Sequence, residues 1–463
     1  MSENTKKSNG NKGRWVRHHL SGALTIPFFL VLGMISVMSF IMPLRPTHSY
    51  IEKRKLAEFP QFSMDALLSG SYFDDITTWF SDTFPGREGW IELSNHTTDL
   101  HGHSEIMIEG TLEEVEEVPT QAPSIDFTPE TDPSEEEVPT ETMVLQEQTA
   151  PTDPVEEWGG LNIEAADVIS LGTVIQIGDS AFNAVTFSSR QSDRYIQTVG
   201  TLAETLYDKG VRVVSAPCPT AVGIMIPPEQ QKDLKCSRQD EIIDYINSGF
   251  NDKVYAVDTY SALVSHNDEY IYFRTDHHWT ATGAYYSYKA ICTELGMMAT
   301  PLSSFEVWDQ GDFRGSLYYK VRKSSALTLD RVYAYVPSGD ITCMIYNEKG
   351  YGFEWPMLTD TSKKKLGSKY MTFLAGDHPL VVLTNNDMPD GPNCVIIKDS
   401  YGNCLAPFFT ENYHNVYVLD YRYYVTKLSS FVEQYNIRDV IFAPNLGAVQ
   451  AVAVQDLLKR VGR

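Results

Sequence analysis

Beyond residue 170 the chain alternates short apolar runs with stretches of helical period, and this alternation constrains the fold more than any other feature. Short apolar runs are typical of strands that are buried on both faces. Strands that alternate with helices predict a three-layer α/β fold with a mostly parallel sheet. The predicted strands are 174–177, 211–215, 254–257, 394–397, 416–419 and 440–443, and the predicted helices are 192–209, 239–248 and stretches around Leu405, Ser430 and Val454.

Residues 300–392 interrupt this rhythm. Their tyrosine-rich alternation, as in Val332–Val336, has the period of two that half-buried strands show. We therefore predict an α/β domain over 161–463, in which 300–392 form an inserted antiparallel element over the edge of the sheet.

An uncharged apolar segment runs from Leu20 to Leu44, which is long enough to span the hydrocarbon core of a membrane. A cleaved signal peptide would have a shorter apolar region that ends in small residues. The basic tail 1–19 favours a cytoplasmic N-terminus. We predict a retained signal anchor over 20–44, a single pass of the cell membrane, and an extracytoplasmic C-terminal region.

Two segments separate this anchor from the α/β domain. Residues 45–104 form a juxtamembrane block with one short amphipathic helix, since Phe73, Ile76, Trp79 and Phe80 share a helical face. Residues 105–160 are acidic and rich in proline, and they carry much of the net charge of −24. Such a composition predicts a disordered, extended linker with few packed contacts.

The six cysteines are scattered, with no Cys-x-x-Cys pair, so we expect no metal cage and no dithiol redox motif. Disulfides and free buried thiols both remain open, because an oxidising exterior would permit either. We also expect no cofactor and no nucleic-acid partner.

The run Asp276, His277, His278 and Trp279 is the strongest chemical signal in the sequence. A carboxylate two residues from a histidine can fix one tautomer of the imidazole and stabilise its protonated form, as a general base requires. An ordinary structural pair is the alternative. A metal site is disfavoured, because adjacent histidines point in different directions and no Glu or Cys cluster stands nearby.

Two serines follow an aspartate at the end of a predicted strand. Ser180 lies in a Gly-Asp-Ser turn, the nucleophile motif of GDSL-type esterases, and Ser400 follows Lys398 and Asp399. Both are predicted on strand-to-helix turns, where helix amides could bind an oxyanion. Each could also be an ordinary helix N-cap.

Taken together, these motifs resemble those of the DHHW family of membrane-anchored bacterial proteins. The resemblance rests on the Asp276–Trp279 block and on Lys398–Asn403. It also rests on two juxtamembrane signatures, which consist of Glu52, Arg54, Leu56, Phe59 and Pro60 and of Asp82, Phe84, Pro85 and Arg87. The family looks related to the alginate acetylation proteins AlgX and AlgJ, which implies a flavodoxin-like, SGNH-hydrolase-like domain.

The resemblance implies roles for individual residues. Asp276 and His278 would supply acid and base beside Trp279, and Ser400 would be the nucleophile, with Ser180 as the alternative. The glycine that precedes the nucleophile in those relatives is missing here. Backbone amides after Ser400, and more weakly Asn403, would hold the oxyanion, while Tyr401, Trp279 and His277 are the other candidates for substrate contacts.

The resulting hypothesis is a membrane-anchored, extracytoplasmic serine acyltransferase or esterase that acts on O-acetyl groups of a cell-surface polysaccharide. A membrane-bound O-acyltransferase is the expected acetyl donor. The alternative is a non-catalytic assembly or carbohydrate-binding protein of an envelope polysaccharide system with a degenerate SGNH site, which the missing glycine would suit.

Overall fold

A computed structural model describes residues 45–49, 54–64, 67, 71–85, 106–109, 115–128, 145–147, 173–321, 327–424 and 427–461. The predicted anchor at 20–44 and the basic tail at 1–19 lie outside these ranges. Within them, no helix is both long and apolar enough to cross a membrane. The chain divides into two units, the first consisting of Met1–Ser49 with Arg54–Leu93 and the second of Tyr50–Lys53 with Ser94–Arg463.

The first unit contains a short antiparallel pair, β1 (His48–Ser49) with β2 (Arg54–Lys55), and the helix α1 (Ser71–Asp82). Trp79 of α1 is buried, and the Arg45 guanidinium lies 3.9 Å from its ring centroid. A cation over an aromatic face is attracted by the ring quadrupole. The predicted helix forms over Ser71–Asp82, although Phe73 of its predicted apolar face is 59% exposed.

The second unit holds the remaining elements. Its strands are β3 (Ile106–Glu109), β4 (Gln146–Glu147), β5 (Val174–Ile177), β6 (Ser180–Asn183), β7 (Arg212–Ser215), β8 (Val254–Ala256), β9 (Glu306–Phe313), β10 (Asp330–Val336), β11 (Ile341–Tyr346), β12 (Tyr351–Glu354), β13 (Leu380–Asn385), β14 (Asn393–Lys398), β15 (Asn415–Asp420) and β16 (Ile437–Ala443). Its α-helices are α2 (Ser189–Tyr207), α3 (Ala221–Met225), α4 (Pro228–Asp233), α5 (Gln239–Ser248), α6 (Thr259–Val264), α7 (Ala281–Glu294), α8 (Gly402–Leu405), α9 (Leu428–Gln434), α10 (Leu446–Val449) and α11 (Val452–Val461).

Nine strands form one sheet in the order β4-β12-β11-β13-β15-β14-β16-β7-β8. The five strands from β15 to β8 are all parallel to one another. Their apolar runs are buried, as in Cys394–Ile397 of β14, because a parallel strand is covered on both faces. The fold is thus mixed α/β with a large, mostly parallel sheet, and six cysteines lie in its second unit as buried free thiols.

The predicted insertion at 300–392 occupies a different place from the one expected. Strands β11 and β13 pair antiparallel, and β13 pairs in turn with β15, so this region extends the main sheet. Among the described residues of 300–392, only β9 and β10 form a separate antiparallel pair, which includes the predicted Val332–Val336. The expectation was wrong about position, since alternation in the sequence indicates a strand but not its neighbour.

Strand β5 forms where the sequence predicts it, but it does not join the large sheet. It pairs antiparallel with β3 on one side and with β6 on the other. Ser180 is the first residue of β6, so the turn at Gly178 and Asp179 belongs to a tight hairpin. The prediction that Ser180 lies on a strand-to-helix turn was therefore wrong.

The sequence predicts a disordered linker over 105–160. The structure differs from this prediction over 106–109, 115–128 and 145–147. Phe127 is 8% exposed, and a Cβ built on Gly200 of α2 would lie 2.2 Å from its ring. The Asp126 carbonyl accepts a hydrogen bond of 2.7 Å from Gln197 Nε2. Average composition misled the prediction, because Phe127 and a few apolar side chains (Val118, Ala122 and Ile125) pack against the core in spite of the acidic surroundings. The rest of 105–160 lies outside the described residues.

Candidate active site

Ser400 lies in the turn that connects β14 with the short helix α8, at the carboxyl edge of the parallel strands. The buried Asp399 carboxylate fixes this turn, since it accepts hydrogen bonds from the backbone amides of Tyr401 (3.0 Å) and Asn445 (2.9 Å). Burial raises the pKa of Asp399. Asp399 therefore shapes the turn that presents the Ser400 hydroxyl.

The Asp-His-His-Trp loop lies between α6 and α7. Its start is held by the buried Asp330, which accepts hydrogen bonds from the amides of Arg274 (2.8 Å) and Thr275 (2.7 Å). Its end is held where Thr280 caps α7. Gly283 lies so close to the loop that a Cβ there would meet the Ile271 carbonyl oxygen at 2.4 Å. Both ends of the loop are thus fixed by local contacts.

Within this arrangement, Asp276, His278 and Ser400 form a continuous hydrogen-bonded chain. His278 Nε2 lies 2.7 Å from Ser400 Oγ. His278 Nδ1 is bonded to Asp276 Oδ1, whose other oxygen accepts a 2.7 Å hydrogen bond from the Ser316 amide. The side chains of Asp276 and His278 are each 1% exposed. This is the arrangement of a nucleophile, a base and a carboxylate that orients the base.

Close approach of the 314–316 segment makes this chain possible. A Cβ on Gly315 would lie 2.1 Å from Asp276 Cβ, so only glycine allows the segment to pass there. The Ser316 amide can then reach the carboxylate. Gly315 was missed at the level of sequence, since no motif surrounds it.

Tyr370 is a second residue that the sequence did not reveal. Its ring stacks on His278 with centroids 3.9 Å apart and planes 11° apart, and its hydroxyl donates to the Ser400 carbonyl at 2.9 Å. Burial raises the pKa of Tyr370 well above its ordinary value, so the phenol stays protonated. Tyr370 therefore positions both His278 and the serine turn.

A family model described as DHHW protein matches residues 52–419. The chain belongs to the DHHW family. A crystal structure of a DHHW family protein from Eubacterium siraeum DSM 15702 is similar at 27% identity and a TM-score of 0.57, covering 64% of this chain and 97% of that chain. No curated protein matches the chain.

Solved structures of two further proteins are similar to this chain. Bacillus cereus PatB1 matches at 16% identity and a TM-score of 0.51, covering 61% of this chain and 98% of that chain, and a PatB1 structure with a sulfonyl adduct also matches. The O-acetyltransferase domain of Pseudomonas putida AlgJ matches at 10% identity and a TM-score of 0.33, covering 58% of this chain and 90% of that chain.

Two predicted substrate contacts of this DHHW protein are fully buried. Trp279 Nε1 donates to the Tyr401 carbonyl at 3.0 Å, and the Tyr401 hydroxyl donates to the His277 carbonyl. Burial raises the pKa of Tyr401 well above its ordinary value. Both are predicted substrate contacts, and in this conformation they join the DHHW loop to the serine turn from inside the core.

The amides predicted to form an oxyanion site are already bonded within the turn. The Tyr401 amide donates to Asp399 Oδ1, the Gly402 amide to the Asp399 carbonyl (2.9 Å), and the Asn403 amide to the Ser400 carbonyl (3.2 Å). The buried Asn403 side chain donates to Asp377 Oδ1 at 2.8 Å. In this conformation these groups serve the turn, so the structure does not support them as free oxyanion donors.

His277, the other histidine of the DHHW motif, lies nearer the surface. Its side chain is 19% exposed, and its Nδ1 lies 2.8 Å from Ser316 Oγ. Its ring centroid is 3.8 Å from that of His278. Ligand atoms of Asp276, His277 and His278 lie within 4.8 Å of one another, but a metal would have to replace the bonds of His278 to Asp276 and Ser400.

A buried layer of charge lies directly beneath the serine turn. Lys398 Nζ lies 2.9 Å from Asp420 Oδ2, and Arg422 pairs with both Asp420 (2.6 Å) and Asp377 (2.8 Å). Burial alone would lower the pKa of Arg422, but the two carboxylates raise it well above its ordinary value. Burial, and then the charge of Lys398, lower the pKa of His378 to about 4.

Ser180 has a different setting. Its hydroxyl donates to the adjacent Asp179 carboxylate at 2.9 Å, and that carboxylate pairs with Arg274 at 3.4 Å. Both side chains of this ion pair are substantially exposed. The histidine of the site therefore faces Ser400, and the alternative nucleophile Ser180 is bonded to a carboxylate.

Proposed function

We propose that this DHHW protein is an SGNH-type serine acyltransferase or esterase that acts on O-acetyl groups of a cell-surface polysaccharide. The observation that carries the proposal is the continuous chain from Asp276 Oδ1 through His278 to Ser400 Oγ, with 2.7 Å between His278 Nε2 and the hydroxyl. A serine hydroxyl is a weak nucleophile unless a base accepts its proton.

The proposed reaction follows from these contacts. Ser400 Oγ attacks the acetyl carbonyl of an ester donor while its proton passes to His278 Nε2. Asp276 stabilises the imidazolium through the bond to Nδ1. The proton then moves to the departing alcohol as the bond from the carbonyl carbon to that oxygen breaks, which leaves an acetyl group on Ser400.

The substrate class and location rest on the family resemblance, which points to acetylation of a cell-surface polysaccharide. A membrane-bound O-acyltransferase would supply the acetyl group, and residues 20–44 would anchor the enzyme with its C-terminal region outside the cell. Protease treatment of intact cells should then remove the C-terminal region. Protection of that region would overturn the surface location.

A sulfonyl fluoride or fluorophosphonate probe tests the proposed nucleophile, because such reagents modify activated serine hydroxyls. We expect labelling of the wild-type protein at Ser400, found by mass spectrometry of the modified peptide. Ser400→Ala should abolish labelling, and the matched control Ser180→Ala should retain it. Labelling at Ser180 would transfer the role to the Gly-Asp-Ser turn.

A second candidate is a non-catalytic carbohydrate-binding or assembly protein of an envelope polysaccharide system. The engagement of the Tyr401, Gly402 and Asn403 amides within the turn favours it, because a working site needs donors for an oxyanion. Absence of both probe labelling and acetyl ester hydrolysis, in protein that still binds polysaccharide, would support this candidate over the enzyme.

A further inference from the structure

We infer that His277 and Ser316 form a subsite for the hydroxyl that accepts the acetyl group, so that a sugar or polyol takes it from Ser400 in preference to water. The inference rests on the proposed function and deepens it. It assigns a role to the histidine of the motif that the chain from Asp276 to Ser400 does not use.

The geometry makes His277 and Ser316 a second serine–histidine pair around one aspartate. His277 Nδ1 lies 2.8 Å from Ser316 Oγ, while the Ser316 amide holds Asp276 Oδ2 at 2.7 Å. The first pair uses Asp276 Oδ1. The two imidazole centroids are 3.8 Å apart, so the two pairs lie side by side.

The exposure of the side chains indicates which of them a substrate can contact. Asp276 and His278 are each 1% exposed, whereas His277, Ser316 and Ser400 are half-buried. His277, Ser316 and Ser400 are therefore the side chains of this cluster that a molecule from solvent can contact. Buried residues such as Trp279 and Tyr401 cannot contact it in this conformation.

The chemistry of the pair suits an alcohol. A hydroxyl can make about three hydrogen bonds, one as donor and two as acceptor. The bond to His277 therefore leaves Ser316 Oγ able to bond with an incoming hydroxyl. Orienting that hydroxyl beside the acetyl group would favour it over bulk water, because positioning converts an encounter between two molecules into a local step.

The transfer step balances with groups already present. The acceptor oxygen attacks the acetyl carbonyl on Ser400, and its proton passes to His278 Nε2. The bond between the carbonyl carbon and Ser400 Oγ breaks, and His278 returns the proton to Ser400. The acetyl group leaves as an ester of the acceptor, with no oxidant, reductant or metal required.

The test measures how the full-length protein divides acetyl groups from p-nitrophenyl acetate between water and a polyol. Glycerol and methyl glucoside serve as acceptors, with free acetate and acetylated acceptor quantified separately. Loss of one or two hydrogen bonds should lower the ratio of transfer to hydrolysis by about tenfold in Ser316→Ala. His277→Asn should lower it similarly, and Ser316→Thr, which restores a hydroxyl, should recover part of it.

Ser265→Ala is the matched control, because the exposed Ser265 hydroxyl bonds only within its own helix, to the Ala262 carbonyl at 3.1 Å. It should leave the ratio unchanged. An unchanged ratio in Ser316→Ala, or equal losses of transfer and hydrolysis, would overturn the inference alone. So would a wild type that hydrolyses the ester without acetylating either acceptor. A wild type without labelling or hydrolysis would instead remove the proposed function.

Discussion

Ser180 and Ser400 each follow an aspartate at the end of a short apolar strand, yet the two turns have opposite surroundings. The strand before Ser400 is β14, whose neighbours β15 and β16 are both parallel to it. The strand before Ser180 is β5, which turns back at Gly178 into β6. Gly178 has φ of +55°, a conformation that favours glycine in tight turns.

Sheet topology decides what each serine meets. Parallel strands end at a common edge, where loops from different parts of the chain converge. The DHHW loop reaches Ser400 there from 122 residues away in sequence. The hairpin at Ser180 instead supports that loop through its backbone, since the Ala181 amide donates to the Arg274 carbonyl at 2.8 Å. The same Asp-Ser pair therefore supplies a candidate nucleophile at Ser400, whereas at Ser180 it belongs to a hairpin that supports the DHHW loop.

The largest expected difference between the two turns is in catalysis. Ser400→Ala and His278→Ala should each lower the rate of p-nitrophenyl acetate hydrolysis by about 10⁴-fold or to background, since nucleophile and base act as one unit. The double variant should be little worse than either single one, whereas Ser180→Ala should stay within about twofold of wild type. If Ser180→Ala were inactive and Ser400→Ala active, Ser180 and not Ser400 would be the nucleophile.

The two aspartates should differ almost as much. Asp276→Asn removes the carboxylate that orients His278, and we expect a loss of about 10³-fold in kcat because the wrong tautomer becomes favoured. Asp179→Asn changes only exposed contacts and should leave kcat nearly unchanged. Steady-state kinetics of both variants would decide this. Equal losses would mean that the hairpin takes part in the reaction.

The charge beneath the Ser400 turn should matter to stability far more than the ion pair at Ser180. Asp420→Ala removes the nearer carboxylate from the buried Lys398, for which Asp377 remains at 3.5 Å, and should lower the free energy of unfolding by about 3–5 kcal/mol. Asp179→Ala removes an exposed pair with Arg274 and should cost less than about 1 kcal/mol. Chemical denaturation measures both. The double variant Lys398→Met with Asp420→Leu should recover part of the loss, because it removes the buried Lys398 charge while Arg422 keeps its pair with Asp377.

His378 gives the buried layer a pH dependence. Its folded-state pKa of about 4 lies below the ordinary value of about 6.5, so the unfolded chain binds a proton first as the pH falls. This group's contribution to stability is therefore present above about pH 6.5 and decreases towards pH 4, by about 2 kcal/mol between pH 7 and pH 5. His378→Leu should be correspondingly less sensitive over that range. If the free energy of unfolding changed equally with pH in the wild type and in His378→Leu, His378 would not be the cause of the pH dependence.

Tyr370 should have the smallest effect of the five. Tyr370→Leu removes the ring that stacks on His278 and should lower the rate of ester hydrolysis by about tenfold, because an aromatic face stabilises an adjacent cation by about 1–2 kcal/mol. Tyr370→Phe keeps the ring and loses the hydroxyl with its bonds to the Ser400 carbonyl and to Cys404 Sγ, so its loss should be about threefold. Equal losses in the Phe and Leu variants would show that the hydroxyl, and not the stacking, carries the effect.

Local patterns were sufficient to predict many elements of the fold. The strands β14, β15 and β16 and the helix α5 lie where the sequence predicts them, because burial on both faces or on one face leaves a clear apolar period. The family motifs also grouped Asp276, His278 and Ser400 before their contacts were visible. The packed segment around Phe127 was missed, since a short extended stretch in acidic sequence has no period.

Other features depended on contacts between distant parts of the chain. Tyr370 and Ser316 have no motif, and each gains its place from the close packing of 314–316 and 366–372 around the DHHW loop. The burial of Trp279 and Tyr401, and the hairpin at Ser180, follow likewise from which strands pair and in which direction. Sequence by itself determined the apolar periods and the residue types of the site, because these are local properties. Tertiary structure decided which serine meets the histidine, because strand direction and close approach at Gly315 depend on contacts far apart in the chain.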